Sequence, residues 1–143
     1  TGFASLNREE LQFGYRSSIL QKTGGILVEA LLRLTPGDEA AIRARMKELN
    51  AQRRAKQPLE YPSAGSVFKR PEGAFAGKLI EEAGLKGRRI GQAQVSPKHA
   101  GFIVNLGGAT ARDVLALIEE VQTAVFQRTG FRLEPEIRIL RRE

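Results

Sequence analysis

Two stretches of the chain alternate between apolar and polar residues, and each predicts a β-strand. Residues 26–34 place Val28, Ala30, Leu32 and Leu34 on one face and Glu29 and Arg33 on the other. Residues 131–140 place Leu133, Ile137 and Ile139 on one face and Arg132, Glu134, Glu136 and Arg138 on the other. Two shorter stretches, at about 89–95 and 102–105, predict further strands joined across residues 96–99.

Helical spacing accounts for much of the remaining chain. A helix is predicted from Thr35, its N-cap, through Pro36 in its first turn to about residue 56, because Ile42, Met46 and Leu49 recur on one face. A short helix after residue 74 is predicted to end at Gly84, and a long one runs from the cap at Thr110 to Gly130. Residues 58–74 are rich in proline and predict a shaped loop. Together these elements predict an α+β fold.

The composition narrows the possible chemistry. The 143 residues contain no Cys and a single His, His99, which excludes disulfides and thiolate metal sites, and we expect no bound metal. Lys and Arg outnumber Asp and Glu by 23 to 16, and the net charge of +7 favours an anionic partner. Since no apolar run approaches the roughly 20 residues of a membrane span, we expect a cytoplasmic protein with no membrane partner.

Basic residues cluster along the first long helix. They are Arg43, Arg45, Lys47, Arg53, Arg54 and Lys56. Clustered Arg and Lys can bind phosphate oxygens, but a solvated helix face explains the same pattern more simply. Tyr15 and Tyr61 do not form the aromatic and basic ribbon typical of nucleic-acid binding. A basic nucleic-acid-binding module therefore stays an alternative function, but a nucleic-acid partner is not favoured.

Two further segments carry polar groups of interest. In the segment 63–66, Gly65 would let a ligand approach the backbone and leave the Ser66 hydroxyl exposed. Neither a G-x-S-x-G nucleophile elbow nor a phosphate-binding loop is present, so Ser66 taken alone is more simply a turn residue. Glu134 and Glu136 would repel each other on one face of a strand, and a carboxyl kept protonated there can donate a proton. An exposed edge of alternating charge is the simpler interpretation of that pair.

Six ordered segments, taken together, resemble one enzyme family. They read GYRSS (14–18), LTPGD (34–38), QPLEYPSAGSVFKRP (57–71), AGKLIEEAGLKG (76–87), KHAGFIVN (98–105) and LEPEIR (133–138). This set resembles the UDP-N-acetylenolpyruvoylglucosamine reductases (the MurB family), flavoenzymes of peptidoglycan precursor synthesis. The likeness is to the branch without the extra substrate-covering insertion. It covers nearly the whole chain, and PSAGSVFK is its most specific part.

The resemblance implies a division of the chain. Residues 1–57 would be the C-terminal part of an FAD-binding domain, residues 58–130 a small α+β substrate-binding domain, and residues 131–143 a terminal strand that returns to the N-terminal lobe. The glycine-rich pyrophosphate loop of the family has no match here, and the chain opens on Thr1-Gly2-Phe3 without an initiator Met. We therefore expect a C-terminal portion whose partner is the missing N-terminal flavin-binding half. By itself this portion is expected to be inactive, or a non-catalytic binding fragment.

The resemblance also implies a reaction and a set of site residues. NADPH would reduce FAD, and the enolpyruvyl double bond of UDP-N-acetylglucosamine enolpyruvate would then be reduced. Arg16, Ser66 and Glu136 would be catalytic, with Ser66 as the proton donor and Glu136, rather than Glu134, as a protonated hydrogen-bond donor. Substrate-binding roles are implied for Tyr15, Lys56, Lys69, Arg70 and Arg138, and a cofactor-binding role for Ser17. His99 is interpreted as a turn residue.

Overall fold

The computed structural model describes residues 2–140, so Thr1 and residues 141–143 of the predicted terminal segment lie outside the described residues. The chain forms two units, of which the first ends at Asp38 and the second begins at Glu39. The predicted boundaries at 57 and 130 stay predictions.

The first unit contains one short helix, α1 (Ile19–Thr23), which begins after Ser18 and ends at Gly24. Gly24 has a φ of 69°, a left-handed conformation that glycine adopts without steric cost. The predicted strand at 26–34 is wrong, because this segment pairs with no other strand among residues 2–140. Its large apolar side chains are exposed, with Ile26 88% and Leu31 98% accessible. The alternating pattern is real, but a strand needs a hydrogen-bonding partner.

The second unit opens with α2 (Glu39–Lys56), the predicted basic helix. It begins three residues later than the sequence suggested, after Gly37 and Asp38, since glycine is unfavourable inside a helix and Glu39 complements the helix dipole in the first turn. It ends at Lys56, as expected from Pro58. No residue of α2 is buried.

A four-stranded antiparallel sheet follows, in the order β1-β4-β3-β2. Its strands are β1 (Ser63–Ser66), β2 (Arg89–Ile90), β3 (Ala93–Val95) and β4 (Phe102–Asn105). The predicted loop at 58–74 is therefore partly wrong, because it contains β1. The predicted strand at 89–95 is a hairpin instead, since Gly91 (φ 54°) turns the chain between Ile90 and Ala93. The prediction for 102–105 is confirmed.

Two helices cover this sheet and complete the core. The helix α4 (Ala111–Thr129) packs on β2, β3 and α3 (Ala76–Glu82). Its ends are those predicted: the Thr110 hydroxyl accepts the Asp113 N–H at 3.1 Å, and Gly130 ends the helix at a φ of 75°. The core contains fully buried side chains from every layer, among them Ile80, Val95, Leu117, Val121 and Val125. The expected α+β fold is confirmed.

The C-terminal segment does not form the predicted strand at 131–140. Its one pairing is a bridge between Pro135 and Phe68, flanked by the bonds from the Lys69 N–H to the Glu134 carbonyl (2.8 Å) and from the Glu136 N–H to the Val67 carbonyl (2.7 Å). Leu133 is buried, but Ile139 is 54% exposed. The pairing does not need an N–H from Pro135, because its two hydrogen bonds are made by the neighbouring residues Glu134 and Glu136. The predicted alternation is thus realised over three residues only.

Candidate functional site

Ser66 lies at the end of β1, directly after an irregularity in the sheet. Ser63 pairs with Val104 and Ser66 with Phe102, so β1 has one residue more than β4 between these pairs. Gly65, inside this bulge, has a φ of 85° and open space where a Cβ would lie. Bulges redirect the side chains next to them and are frequent beside active sites. Here the bulge leaves Ser66 exposed, with its hydroxyl donating a long 3.4 Å bond to the Phe68 carbonyl.

Glu136 is held close to Ser66 by the backbone. Its N–H donates to the carbonyl of Val67, the residue that follows Ser66. The Val67 N–H in turn donates to the Gly101 carbonyl at 2.9 Å, which links the segment to the turn before β4. Glu136 is half-buried, whereas Ser66 is exposed. The structure therefore brings together two of the three residues for which a catalytic role is expected, although they are 70 positions apart in the sequence.

The two glutamates of this segment have different surroundings. The Glu134 carboxylate forms an ion pair with the Lys69 ammonium, on an exposed part of the surface. Glu136 lies two residues further on, beside Val67. The two glutamates therefore differ in their neighbours, a lysine ammonium for Glu134 and the backbone of the Ser66 segment for Glu136. Lys69, expected to bind substrate, already has an anionic partner.

Three other residues of the second unit, Arg70, Arg138 and Lys56, are expected to bind substrate. The Arg70 guanidinium stacks over the Phe75 ring at 4.0 Å from its centroid and donates to the Ala74 carbonyl. Arg138 is exposed two residues beyond Glu136, and Lys56 is the exposed last residue of α2. Elsewhere on α2, Arg43 and Arg45 form ion pairs of 2.7 Å with Glu39 and Glu48 of the same helix. These pairs favour a solvated face over a nucleic-acid interface.

Three expected site residues belong to the first unit. Tyr15, Arg16 and Ser17 lie in a tight turn that two backbone bonds between Gly14 and Ser17 close, at 3.0 and 3.2 Å. Arg16 has a φ of 52°, which costs a non-glycine residue roughly 1–2 kcal/mol. Its guanidinium lies 5.7 Å from the Tyr15 ring centroid. Such strained residues are concentrated at ligand sites, so the turn supports a functional role for Arg16.

His99 lies beside Ser66, which the sequence did not indicate. A Cβ built on Gly101 would be 3.0 Å from His99 Cε1 and 3.6 Å from Ser66 Oγ, so both side chains border one point. The Nδ1 atom accepts the Gly101 N–H at 3.1 Å, and the ring meets Phe102 edge-on at 5.0 Å. His99 is a turn residue, as expected, but its ring is packed rather than free. In the sequence, the packing of the His99 ring could have been inferred only from the glycines at 77 and 101, since a Cβ on either would crowd the imidazole.

The fold places the chain among the C-terminal domains of a reductase family. A solved structure, the UDP-N-acetylenolpyruvylglucosamine reductase (MurB) from Thermus caldophilus, superposes with a TM-score of 0.74 and 44% identity. The match covers 90% of this chain and 45% of that chain. Residues 57–140 match the family model of the UDP-N-acetylenolpyruvoylglucosamine reductase C-terminal domain.

Curated relatives carry the same name. The reductase from Lachnoclostridium phytofermentans is 57% identical over 95% of this chain, and that from Lactobacillus johnsonii is 55% identical over 99%. The chain belongs to the UDP-N-acetylenolpyruvoylglucosamine reductase family, which confirms the resemblance. It spans about half the length of these relatives, 44% and 47% respectively. Among residues 2–140, no helix is both long and apolar enough to cross a bilayer.

Proposed function

We propose that the complete protein, in the cytoplasm, reduces UDP-N-acetylglucosamine enolpyruvate to UDP-N-acetylmuramate for peptidoglycan synthesis, with NADPH as reductant and FAD as carrier. The names of the relatives support the reductase activity. The observation that carries the proposal is the backbone bond that joins Glu136 to Val67, the residue after Ser66.

The chemistry assigned to this chain concerns a proton and a developing anion. Reduction adds a hydride to the terminal carbon of the enolpyruvyl double bond, and the electron pair moves to the carbon beside the carboxylate. That carbon must then gain a proton. We assign the proton to the Ser66 hydroxyl, because its 3.4 Å bond to the Phe68 carbonyl is long and is given up at little cost. A carbanion is a strong base, so a weakly acidic hydroxyl is an adequate donor.

Glu136 and Arg16 are assigned to the substrate carboxylate. As hydride arrives, the carboxylate shares the developing charge, and preorganised donors stabilise such charge by several kcal/mol in a water-poor site. Glu136 in its protonated form would donate one hydrogen bond, and the Arg16 guanidinium would donate others while balancing the charge. Glu136 rather than Glu134 is assigned this role because it is the second glutamate of the LEPEIR motif that resembles the family.

The remaining basic residues are assigned to the substrate as well. Lys56, Lys69, Arg70 and Arg138 would contact the UDP pyrophosphate, and Tyr15 the sugar or carboxylate. Lys69 would have to exchange its partner Glu134 for the ligand. An exposed ion pair contributes only about 0–1 kcal/mol, so this exchange costs little.

The residues present do not by themselves form a flavin site. Ser17, the expected cofactor contact, is exposed in the turn of the first unit, and nearby apolar side chains such as Phe13 and Ile26 are 68% and 88% accessible. Exposed apolar surface of this extent is typical of a surface that another element covers. We therefore assign the FAD pocket, which would supply the hydride, to the N-terminal half together with Ser17.

The test is expression of the complete protein beside residues 1–143 alone. The complete protein is expected to show flavin absorbance and, without air, to oxidise about one NADPH for each flavin until UDP-N-acetylglucosamine enolpyruvate is added. Continued oxidation of NADPH should require that sugar and yield UDP-N-acetylmuramate. Residues 1–143 alone are expected to do neither. Failure of the enolpyruvyl sugar to reoxidise the reduced flavin of the complete protein would overturn the proposed substrate.

A further inference from the structure

His99 is embedded in a site that the surrounding chain leaves open for it. The Ser96 hydroxyl, itself 1% exposed, accepts the N–H groups of Lys98 and His99 at 3.2 Å and so fixes the turn. The imidazole then occupies the space beside Gly77 and Gly101, where a Cβ would come within 3.3 and 3.0 Å of it. A histidine whose ring pointed into solvent from a surface turn would not require glycine at either of these positions.

The Nδ1 atom of this imidazole is the first member of a chain of backbone hydrogen bonds. It accepts the Gly101 N–H, the Gly101 carbonyl accepts the Val67 N–H, and the Val67 carbonyl accepts the Glu136 N–H. The distances are 3.1, 2.9 and 2.7 Å. Ser66 precedes Val67, so this chain reaches both residues to which we assign the proton and the carboxylate.

Gly101 is the flexible member of that chain. Glycine has wide freedom in φ and ψ. The bond to its N–H orients the peptide before Gly101, and the Phe102 N–H, which donates to the His99 carbonyl at 3.0 Å, orients the peptide that contains the Gly101 carbonyl. The imidazole accepts the Gly101 N–H, and its ring is packed against Phe102. Because Nδ1 is an acceptor, the proton of the neutral imidazole lies on Nε2.

We propose that His99 is a positioning residue for the reductive step: through Nδ1 it holds the Gly101 peptide, and thereby sets the placement of Ser66 and Glu136. The inference rests on the proposed function of these two residues. His99 itself is not assigned any contact with the substrate.

Two substitutions of the complete protein separate this role from general packing. His99→Leu removes the hydrogen-bond acceptor and replaces the ring by an apolar side chain of similar size. His99→Asn keeps an acceptor, because an Asn carbonyl oxygen readily accepts the backbone N–H two residues further along. Lys98→Ala is the matched control, since Lys98 is an exposed neighbour whose ammonium pairs with Glu60 at 3.4 Å.

We expect product formation from the reduced enzyme to fall about tenfold or more in His99→Leu, because small displacements of reacting groups reduce rates steeply. His99→Asn should recover most of that rate, Lys98→Ala should leave it unchanged, and NADPH-dependent flavin reduction should be normal in all three. If His99→Asn is as slow as His99→Leu, the positioning role is wrong.

A measurement independent of activity follows the imidazole of His99, whose signals are assigned as those absent from the His99 variants. The nitrogen-15 NMR signals of a neutral imidazole distinguish its tautomers, and we expect the proton on Nε2. The amide signals of Ser66 and Glu136 should shift in His99→Leu and stay in place in His99→Asn. A proton on Nδ1 would overturn the proposal even if His99→Leu fails to fold. If the unaltered complete protein does not reduce the enolpyruvyl sugar, the proposed function fails, and these signals still decide whether His99 sets the geometry.

Discussion

Replacing Ser66 by Ala separates the chemistry assigned to this residue from its part in the fold. The hydroxyl is exposed, and its bond to the Phe68 carbonyl is 3.4 Å long. A change at such a surface position alters the free energy of unfolding by about 0.5 kcal/mol or less. That corresponds to a shift in melting temperature of no more than about 4 °C. The folded structure should therefore persist.

The expected effect on the reaction is much larger. A positioned proton donor contributes about 10²–10⁴-fold to a rate, which equals about 3–5 kcal/mol of activation free energy at 1.36 kcal/mol for each factor of ten. Loss of 0.5 kcal/mol of stability cannot produce a change of that size. Ser66→Ala should therefore reduce its flavin with NADPH at the normal rate and then stall before product.

The assay is stopped-flow absorbance of the complete protein in two steps. The first step follows bleaching of the flavin by NADPH, and the second follows its reoxidation when UDP-N-acetylglucosamine enolpyruvate is added. Ser63→Ala is the matched control, because Ser63 is an exposed serine of the same strand whose hydroxyl accepts the Gly65 N–H at 3.4 Å. Product formation by Ser66→Ala within about threefold of the unaltered protein would contradict the proton-donor role. Equal losses in both variants would point to the strand rather than the hydroxyl.

Three further predictions concern the carboxylates and the core. Glu136→Gln should slow the second step about tenfold or more without affecting flavin reduction, since an amide is a weaker donor; an unchanged rate in the same assay would refute its assignment. Leu117→Ala, at a fully buried position of α4, should cost about 2–5 kcal/mol in urea unfolding; Leu115→Ala, 39% exposed, is the control and should cost far less. Two hydrogen bonds with Thr110 hold the pKa of Asp113 below its ordinary 3.8. The bond from the Thr110 N–H has the larger effect and the bond with the Thr110 hydroxyl the smaller. Because that pKa is lowered on folding, the stabilisation is present at neutral pH and is lost as the pH falls through the lowered value. The difference in unfolding free energy between the unaltered protein and Asp113→Asn should shrink over that range, and a difference that stays constant would exclude the ionised carboxylate as its source.

The helices were largely predictable because their bonds are local. The start of α4 follows from Thr110 and Asp113, which satisfy each other's N–H groups, and its end follows from Gly130. The motif around Ser66 likewise indicates the family from the sequence alone. Each of these signals lies within a short stretch of chain.

The strands were less predictable, because a strand exists only when another segment supplies its hydrogen bonds. The segment at 26–34 has the alternation expected of a strand at Val28, Ala30, Leu32 and Leu34, yet it has no partner strand among residues 2–140. The segment at 131–140 alternates as well, but Pro135 lies in its middle and its pairing extends only from Glu134 to Glu136. The spacing of apolar residues indicates which face of a strand is buried, but it does not indicate which segment pairs with the strand.

What the sequence alone determined is the family, the candidate residues for the proposed site, and the helices whose ends are capped by their own neighbours. What only the tertiary structure decided is which of those residues meet. Lys69 pairs with Glu134, the Glu136 N–H bonds to the residue after Ser66, and the imidazole of His99 accepts the N–H of Gly101. The first two contacts join residues distant in the chain, and their geometry depends on backbone pairing and on the bulge at Gly65, neither of which a linear pattern encodes.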